Sequence, residues 1–451
     1  MVLRVRDRLR YSVAHAPARI AIAVYAVATL VFTVLLMLPV ASADATRTPL
    51  PDAFFTAVSA VTVTGLTTVE TGEHWSMFGQ VVILIAIQTG ALGVVTIALL
   101  LAMTVTRRLG VSGRVFAKES IGSGGTGDVR RLIRIVVVTT FTIEAALAVF
   151  LVPAFVVAED SFWRGLWHGG FYSVSAFANA GFTSHSDGLE PFASNPFVLA
   201  PIAAGVFIGS FGFPVFLNLI HAKWTRRRWT LHTRLTLYTT IILLVLGAAA
   251  WAAFEWANPA TVGSAPWWEK IGNAFFASTM MRSGGFAIVD MESSTATTML
   301  LSDALMFVGG GSASTAGGIK VTTFAVLILA IAAEAKGTRT TSALGRRIPS
   351  STLRLAISVV FLGATLVLVA AGLLTIVSEA SLDRILFEVI SAFATCGLSV
   401  GISAEVGTFG KYVLSALMLT GRVGPIVLAS ALALRQRQET FAFPEERPII
   451  G

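Results

Sequence analysis

Residues 387–401, FEVISAFATCGLSVG, form a short turn of small and polar residues between two long apolar segments. Similar turns occur at three earlier places in the chain. The glycines that align in the four turns are Gly65, Gly181, Gly285 and Gly397, separated by 116, 104 and 112 residues. A phenylalanine precedes each glycine by ten residues, at Phe55, Phe171, Phe275 and Phe387. This register predicts four internal repeats, each containing one helix, one turn and a second helix.

The composition is that of a membrane protein. Of the 451 residues, 55% are hydrophobic and 13% are charged, which is too apolar for a soluble protein of this size. Eight apolar runs are long enough to cross a hydrocarbon core of about 30 Å. They lie near residues 20–40, 80–103, 133–158, 197–220, 235–254, 297–332, 355–377 and 412–434. We therefore predict eight spans, and the first is too long for the apolar region of a signal peptide.

The basic residues indicate how these spans are oriented. The formal net charge is +8, and most of the 33 lysines and arginines lie in five segments. These segments are residues 1–19, 107–134, 223–234, 336–354 and 435–447. All five fall on one side of an eight-span topology, which the positive-inside rule makes the cytoplasm. Both termini are therefore predicted to be cytoplasmic, and the charge does not indicate a nucleic-acid partner. Cys396 is the only cysteine, so no internal disulfide can form.

Four short segments are predicted to enter the bilayer from outside and turn back. Residues 52–61, 163–177, 267–281 and 382–394 are too short to cross it as helices. Their C-terminal carbonyls would point at the membrane centre, where the helix dipole favours a cation. The following turns carry no charged side chain, so that backbone carbonyls can replace an ion's hydration shell. The predicted filter residues are Thr62, Val63, Thr64, Gly65, Asn179, Ala180, Gly181, Ser283, Gly284, Gly285, Thr395, Cys396 and Gly397.

The predicted fold class is an all-α polytopic membrane protein. It consists of four pseudo-repeats, each with a helix, a re-entrant helix with its filter turn, and a second helix. The predicted boundaries are 1–106, 107–222, 223–335 and 336–451. The third unit contains an intramembrane loop, and the fourth ends in a short cytoplasmic tail.

A glycine cluster interrupts the apolar run at 297–332. Residues 309–318, GGGSASTAGG, contain five glycines, and each costs a helix about 1 kcal/mol relative to alanine. A broken helix beneath the filter predicts a gate, although a simple packing kink remains an alternative. Lys320 either faces the pore or lies deep in the cytoplasmic half. The predicted gate residues are Gly309, Gly310, Gly311, Ser312, Ser314, Thr315, Gly317, Gly318, Lys320 and Arg422.

Arg422 lies near the middle of the last apolar run. It follows Lys411 by 11 residues and precedes Arg435 by 13. It would therefore be about 16 to 20 Å from either end of a helix. A mid-membrane arginine costs at least about 2.5 kcal/mol and usually faces a cavity or a partner. We predict that it points into the pore beneath the filter and raises the barrier to cations. Pairing with Glu144, or with carbonyls of the broken helix, is the alternative.

The motifs AVTVTGLTT, ANAGFTS, RSGGF and ATCGLS resemble the four filter sequences of the Trk/Ktr/HKT superfamily of potassium uptake systems. The resemblance covers nearly the whole chain, and LTGRVGP and PEERPIIG resemble the bacterial Ktr branch. It implies a potassium-channel-like pore, selective for potassium because all four turns carry glycine, in the bacterial cytoplasmic membrane. It also implies sodium-dependent uptake by a homodimer, with potassium held only at filter carbonyls. The implied partner is a cytoplasmic ring of RCK-type nucleotide-binding regulatory subunits, with no nucleotide on this chain.

The chain is not predicted to be an enzyme. GSGGTG, residues 122–127, matches a nucleotide-binding glycine pattern, but no apolar strand precedes it. Two alternatives to a potassium-selective pore remain: a less selective sodium/potassium pore, and an intramembrane hydrolase that uses Ser112. His168 and His185 flank the second turn on the predicted outer side, either as a pH sensor or as solvated surface residues. Whether sodium is coupled to uptake or only activates it stays open.

Overall fold

The computed structural model describes residues 17–108 and 128–434, apart from Trp224 and Arg339. Within these residues the chain is helical except for loops and one antiparallel hairpin, Ser342–Ala343 with Arg346–Arg347. Three sequence features lie outside the described residues: the basic tails at 1–16 and 435–451, the GSGGTG segment, and Ser112.

Every one of the eight apolar runs is helical. Six are continuous helices: Pro17–Leu36, Met77–Arg108, Asp128–Glu159, Leu231–Glu255, Ser350–Val377 and Thr408–Leu434. Two are broken, as Pro196–Gly209 followed by Phe213–His221 and as Ala296–Phe307 followed by Val321–Ala335.

The apolar helices differ in whether they can cross a bilayer by length and composition. In the described chain, four are long and apolar enough: Met77–Ile97, Ile133–Glu159, Leu231–Glu255 and Ser350–Val377. The bent pair Pro196–Gly209 and Phe213–His221 would make a fifth. The protein is thus helical with several membrane-length apolar helices, while the number of eight spans stays a prediction.

The bend in the fourth apolar run was not predicted. The helices Pro196–Gly209 and Phe213–His221 meet at 89°. Between them Gly212 has φ +88°, and a methyl group in its place would overlap the carbonyl oxygen of Ser312. The next amide, that of Phe213, donates to the carbonyl of Ala313 at 3.1 Å. The bend therefore depends on a loop that is distant in sequence.

Four short helices occupy the predicted re-entrant segments. They are Leu50–Thr62, Phe162–Ala178, Trp267–Ser283 and Leu382–Ala394, named here the first to fourth short helix. Polar contacts tie residues near their N-terminal ends to neighbouring repeats. These contacts are Asp52–Lys411, Ser194–Glu269 and Arg384–Glu292. We name the surface on which the short helices begin the mouth face.

The remaining elements are short connections. Two four-residue helices, Thr71–His74 and Ile402–Glu405, follow the first and fourth turns. Three single 3-10 turns are Pro39–Ala41, Glu190–Phe192 and Arg226–Arg228.

The core is built around the short helices. Phe55, Phe171 and Phe387 are at most 1% exposed, whereas Phe275 is 45% exposed. The third repeat therefore keeps the phenylalanine register in sequence but differs from the other three in the burial of this side chain. The long helices instead direct apolar side chains outward, with Val157 83% and Ile376 80% exposed. Large exposed apolar residues on long apolar helices are what a lipid-facing surface requires.

Candidate functional site

The first, second and fourth short helices end in the same way. Their last residues are followed by Val63, Asn179 and Thr395, each in the left-handed conformation with φ between +47° and +60°. The amide of each of these residues donates to the carbonyl three residues earlier. The amide of the following residue donates to the carbonyl five residues before it. This C-cap turns the chain sharply away from the helix, so that extended backbone follows directly.

The third short helix ends differently. Gly284, which follows it, has right-handed geometry with φ −88°, and its amide donates to the carbonyl of Met280 at 2.9 Å. Arg282, near the end of this helix, turns its guanidinium towards the helix Leu231–Glu255 and donates to the Thr240 carbonyl at 3.2 Å. The basic side chain is thereby directed to a neighbouring helix.

The four aligned glycines form a closed ring of contacts. Their φ values are +95°, +68°, +74° and +99° for Gly65, Gly181, Gly285 and Gly397, a region that other residues rarely adopt. A methyl group on Gly65 would overlap the carbonyl oxygen of Ala180, and one on Gly181 would lie 3.0 Å from the Cα of Gly285. A methyl group on Gly285 would overlap the carbonyl of Cys396, and one on Gly397 that of Thr64.

Each turn therefore contacts the next in sequence order, and the fourth returns to the first. We name the turns, residues 62–65, 179–181, 283–285 and 395–397, the four quarters of the ring. At these close approaches a side chain larger than hydrogen would collide with backbone, which cannot move aside as a flexible side chain can. The predicted filter residues are thus brought together in one place.

The amides of two ring glycines are each held by a serine six residues earlier in the chain. The Oγ of Ser59 accepts from the amide of Gly65 at 3.0 Å, and that of Ser391 accepts from Gly397 at 3.1 Å. In the second repeat, Ser175 donates to the carbonyl of Phe182 at 2.8 Å. A serine at this position of three repeats therefore holds the backbone of its turn by a hydrogen bond.

Side chains in the ring bond to one another across the quarters. The Asn179 amide donates to the Oγ of Ser283 at 2.8 Å, and the Cys396 thiol contacts the carbonyl of Met280 at 3.3 Å. Within the first quarter, the hydroxyls of Thr62 and Thr64 lie 2.7 Å apart. All of these groups are buried. The side chains of Asn179, Ser283, Thr62 and Thr64 thus bond to one another, whereas the Thr395 hydroxyl has no hydrogen-bond partner among the described residues.

Residues 308–320, which separate the helices Ala296–Phe307 and Val321–Ala335, form a loop packed against two quarters. The Thr315 hydroxyl donates to the carbonyls of Gly209 at 3.0 Å and Phe177 at 3.3 Å. A methyl group on Gly317 would overlap the Oγ1 of Thr395. Val308 and Ile319 pair as an isolated bridge that closes the loop at its base. The loop thus contacts the ends of the second and fourth short helices.

The predicted gate residues all lie in this loop or beside it. Gly309, Gly310, Gly311, Ser314, Thr315, Gly317 and Gly318 are buried, and Ser312 and Lys320 are half-buried. The Lys320 ammonium donates to the carbonyls of Ala316 at 2.6 Å and Gly317 at 3.2 Å. Lys320 therefore folds back onto its own loop.

Arg422 is buried beside the fourth short helix. Its neighbour Gly421 packs so closely on the fourth short helix that a methyl group would overlap the carbonyl of Phe393. Arg422 is only 3% exposed, and its guanidinium lies near the hydroxyl of Tyr25, although none of its nitrogens meets the geometry of a hydrogen bond to a described residue. Lys320 lies near enough to interact with it electrostatically. Two positive charges thus stand together beside the loop.

Neither alternative pairing of Arg422 occurs among the described residues. Glu144 instead accepts from the Nε2 of Gln88 at 3.2 Å. The loop carbonyls of Ala316 and Gly317 are bonded to Lys320.

Glu388, on the fourth short helix, is a site residue that the sequence reasoning missed. It is fully buried and accepts from the amides of Val400 and Ser403, both at 3.2 Å. It also accepts from the hydroxyls of Ser399 and Ser403. The Glu388 carboxylate therefore holds residues 399–403, which follow the fourth quarter, against the fourth short helix.

The ion pair between Asp52 and Lys411 was also missed. The Lys411 ammonium donates to Asp52 Oδ1 at 2.5 Å, and the same oxygen accepts from Thr68 at 2.7 Å. Both charged side chains are 15% exposed. The pair joins the first repeat to the last at the mouth face, and no local pattern in the sequence could have indicated it.

Carboxylates cluster on the mouth face. Burial raises the pKa of Glu70, and the charges of Glu73 and Asp187 raise it further. Burial likewise raises the pKa of Glu190, with added repulsion from Asp290 and Asp187. Carboxylates that repel one another make a negative surface that attracts cations towards the ring.

Comparisons with known proteins show the family to which the chain belongs. The family model TrkH, described as a cation transport protein, matches residues 8–440. The Ktr system potassium uptake protein B of Vibrio alginolyticus is 35% identical over 420 residues, 93% of this chain and 91% of that protein. The potassium/sodium uptake protein NtpJ of Enterococcus hirae is 32% identical over 457 residues, 100% of this chain and 99% of that protein.

A solved structure has the same fold. The crystal structure of the potassium transporter TrkH from Vibrio parahaemolyticus matches with a TM-score of 0.70 at 18% identity, covering 91% of this chain and 84% of the other. The chain belongs to the TrkH family of cation transport proteins in the Trk/Ktr superfamily, and it is a membrane transporter rather than an enzyme.

Proposed function

We propose that this protein carries potassium into the bacterial cell through the ring of four glycine turns. The observation that carries the proposal is the closed cycle of contacts from Gly65 through Gly181 and Gly285 to Gly397 and back to Thr64. Relatives over nearly the full length are named for potassium uptake, which supports the choice of ion.

In this proposal the ring is a selectivity filter. The glycines have positive φ, a conformation that would let the peptide groups of the turns direct their carbonyls to a common axis. The C-terminal ends of the short helices add partial negative charge at the same level. Carbonyl oxygens then replace the hydration shell of a potassium ion, with no covalent chemistry and no charged ligand.

The proposed topology places the mouth face outside the cell. Eight spans in four units, with boundaries near 106, 222 and 335, would put both termini and the five basic segments in the cytoplasm. The carboxylates near Glu70 and Glu190 would then meet incoming cations, and the loop at 308–320 would lie on the cytoplasmic side of the filter.

We propose that this loop is the gate. Thr315 and Gly317 seat it against the second and fourth quarters, and Lys320 braces it by bonding two of its carbonyls. Lys320 and Arg422 place positive charge beside the path that an ion must follow after the filter. Opening would require the loop to leave Thr395 and would carry Lys320 away with it.

The same proposal extends to regulation. A relative that is named as a component of the Ktr system supports a partner subunit, for which we propose an RCK-type nucleotide-binding ring in the cytoplasm. The resemblance of the filter motifs to the superfamily supports a homodimer and sodium-dependent uptake. Nucleotide would bind to the partner, and sodium would either be coupled to potassium or activate the pore.

A less selective sodium/potassium pore is the second candidate. The relative NtpJ is named for both ions, and it aligns with the whole of this chain. The third quarter also departs from the other three, since Gly284 lacks the left-handed cap. A ring with one unequal quarter would coordinate an ion less uniformly.

Growth of a bacterium without its own potassium uptake systems tests the proposal. The chain would be expressed with and without its regulatory partner, and growth measured against external potassium. We expect rescue by the wild type and by Gly272→Ser, where an added side chain meets open space. We expect loss of rescue, or a shift to sodium permeability, for Gly65→Ser and Gly397→Ser. Equal rescue by the wild type, Gly65→Ser and Gly397→Ser would contradict the proposed filter.

A further inference from the structure

A cluster of two histidines and a glutamate lies on the mouth face beside the second quarter. Glu159 ends the helix Asp128–Glu159, His168 is on the second short helix, and His185 is in the chain that leaves Gly181. Their possible ligand atoms all lie within 4.8 Å of one another. The Nε2 of His185 is 3.2 Å from Glu159 Oε1, and the Nε2 of His168 is 3.7 Å from Oε2.

The other nitrogen of each ring is already bonded. The Nδ1 of His168 lies 2.6 Å from the hydroxyl of Ser184, and the Nδ1 of His185 lies 3.0 Å from the hydroxyl of Tyr172. When each Nδ1–H donates to its hydroxyl, both Nε2 atoms carry a lone pair towards the carboxylate. Metal-binding histidines are commonly oriented in this way by a hydrogen bond to the second nitrogen.

Aromatic packing holds the two rings in place. The imidazoles of His168 and His185 stack with centroids 4.0 Å apart, and Phe155 stacks on His185 at 5.6 Å. The three polar side chains nevertheless keep between 12% and 19% of their surface exposed. The cluster is therefore preorganised on a partly apolar wall and is reachable from solvent.

We propose that Glu159, His168 and His185 bind one divalent transition ion of the zinc type. Two imidazoles and one carboxylate, with water as fourth ligand, are a donor set that Zn²⁺ takes in tetrahedral sites. Bonds of about 2.1 Å place tetrahedral donors about 3.4 Å apart, so that only small side-chain movements are required. Calcium and magnesium prefer oxygen ligands in larger number and fit this set poorly.

The site joins three segments that meet around the second quarter. Binding would tie the chain after Gly181 to both the second short helix and the helix before it. The proposed potassium pathway contributes no residue to the cluster. The proposed metal binding can therefore be tested independently of potassium uptake.

The test uses the full-length chain purified in detergent, with any histidine tag removed because a tag itself binds zinc. Equilibrium dialysis against zinc chloride measures binding. We expect one zinc ion per wild-type chain, and affinity reduced about tenfold or more in Glu159→Gln, His168→Gln and His185→Gln. His74→Gln, which removes a mouth-face histidine bonded to Thr48, is the matched control and should bind like the wild type.

Two further measurements keep the proposal testable if a ligand variant folds poorly. Tyr172→Phe keeps the ring but removes the hydroxyl that orients His185, and it should weaken zinc binding while all three ligands remain. Cobalt(II) bound to the wild type should show the intense visible absorption of a four-coordinate site. Absence of stoichiometric zinc binding to the wild type, a weak six-coordinate cobalt spectrum, or equal loss in His74→Gln would overturn the proposal.

Discussion

Gly397 packs against the carbonyl of Thr64 so closely that no methyl group fits between them. This contact brings the last turn of the chain onto the first and closes the ring. A filter built by one chain therefore depends on contacts between distant repeats and on the residues that hold those repeats together.

Removing the charge of Arg422 should increase flux. Its guanidinium lies near Lys320 and the hydroxyl of Tyr25 without meeting the geometry of a hydrogen bond to any described residue, so Arg422→Gln removes the positive charge while keeping a polar group beside Tyr25. A barrier lower by about 1.4 kcal/mol corresponds to an uptake rate about tenfold higher. Rubidium uptake into proteoliposomes measures it, with Arg422→Lys as the charge-retaining control. Unchanged uptake in a folded Arg422→Gln protein would show that the charge does not obstruct the path.

Lys320→Met should loosen the loop at 308–320. The methionine keeps most of the side-chain volume but cannot donate to the carbonyls of Ala316 and Gly317. We expect leak of potassium in the absence of the regulatory partner to rise several-fold, and Lys320→Arg to retain most of the closure. Potassium efflux from loaded proteoliposomes measures the leak. A fall in leak, or equal leak in the two variants, would contradict a bracing role.

Glu388→Ala should destabilise the protein strongly. The substitution leaves two backbone amides and two hydroxyls without their acceptor in a buried position. Each unsatisfied group costs about 1–3 kcal/mol, so the thermal midpoint should fall by several degrees. Glu405→Ala, at a residue 64% exposed and 4.0 Å from Arg384, is the control and should change it little. A midpoint equal to that of the control would mean that Glu388 does not support the fourth quarter.

Asp52 and Lys411 should be energetically coupled. A double-mutant cycle with Asp52→Asn and Lys411→Met, measured by thermal unfolding, isolates their interaction. Because both side chains are only 15% exposed, we expect a coupling of about 1 kcal/mol, within the range found for residues in contact. Additive effects of the two substitutions would show that the pair does not hold the first and last repeats together.

Much of the local structure was predictable. The predicted segment 382–394 has the same bounds as the observed helix. The predicted bounds of 52–61 and 163–177 lie within one or two residues of the observed helix ends. Their lengths, apolar residues and flanking glycines are local signals. The glycine-rich break at 309–318 was predicted for the same reason, because several glycines together cannot sustain a helix.

Features set by distant contacts were not predictable. The bend at Gly212 follows from its approach to Ser312, and the buried carboxylate of Glu388 is explained only by the chain that folds back over it. The exposure of Phe275 is another example, since its repeat position resembled those of three core residues. A single sequence shows which residues recur but not which repeats differ in packing.

The ion selectivity of the purified protein tests most sharply whether the glycine ring is the filter. Reversal potentials in potassium and sodium gradients would be compared for the wild type, Gly397→Ser and Gly272→Ser in lipid bilayers. We expect strong potassium preference in the wild type and Gly272→Ser, and a marked loss of that preference in Gly397→Ser. Equal selectivity in all three proteins would contradict the proposal that the glycine ring is the filter.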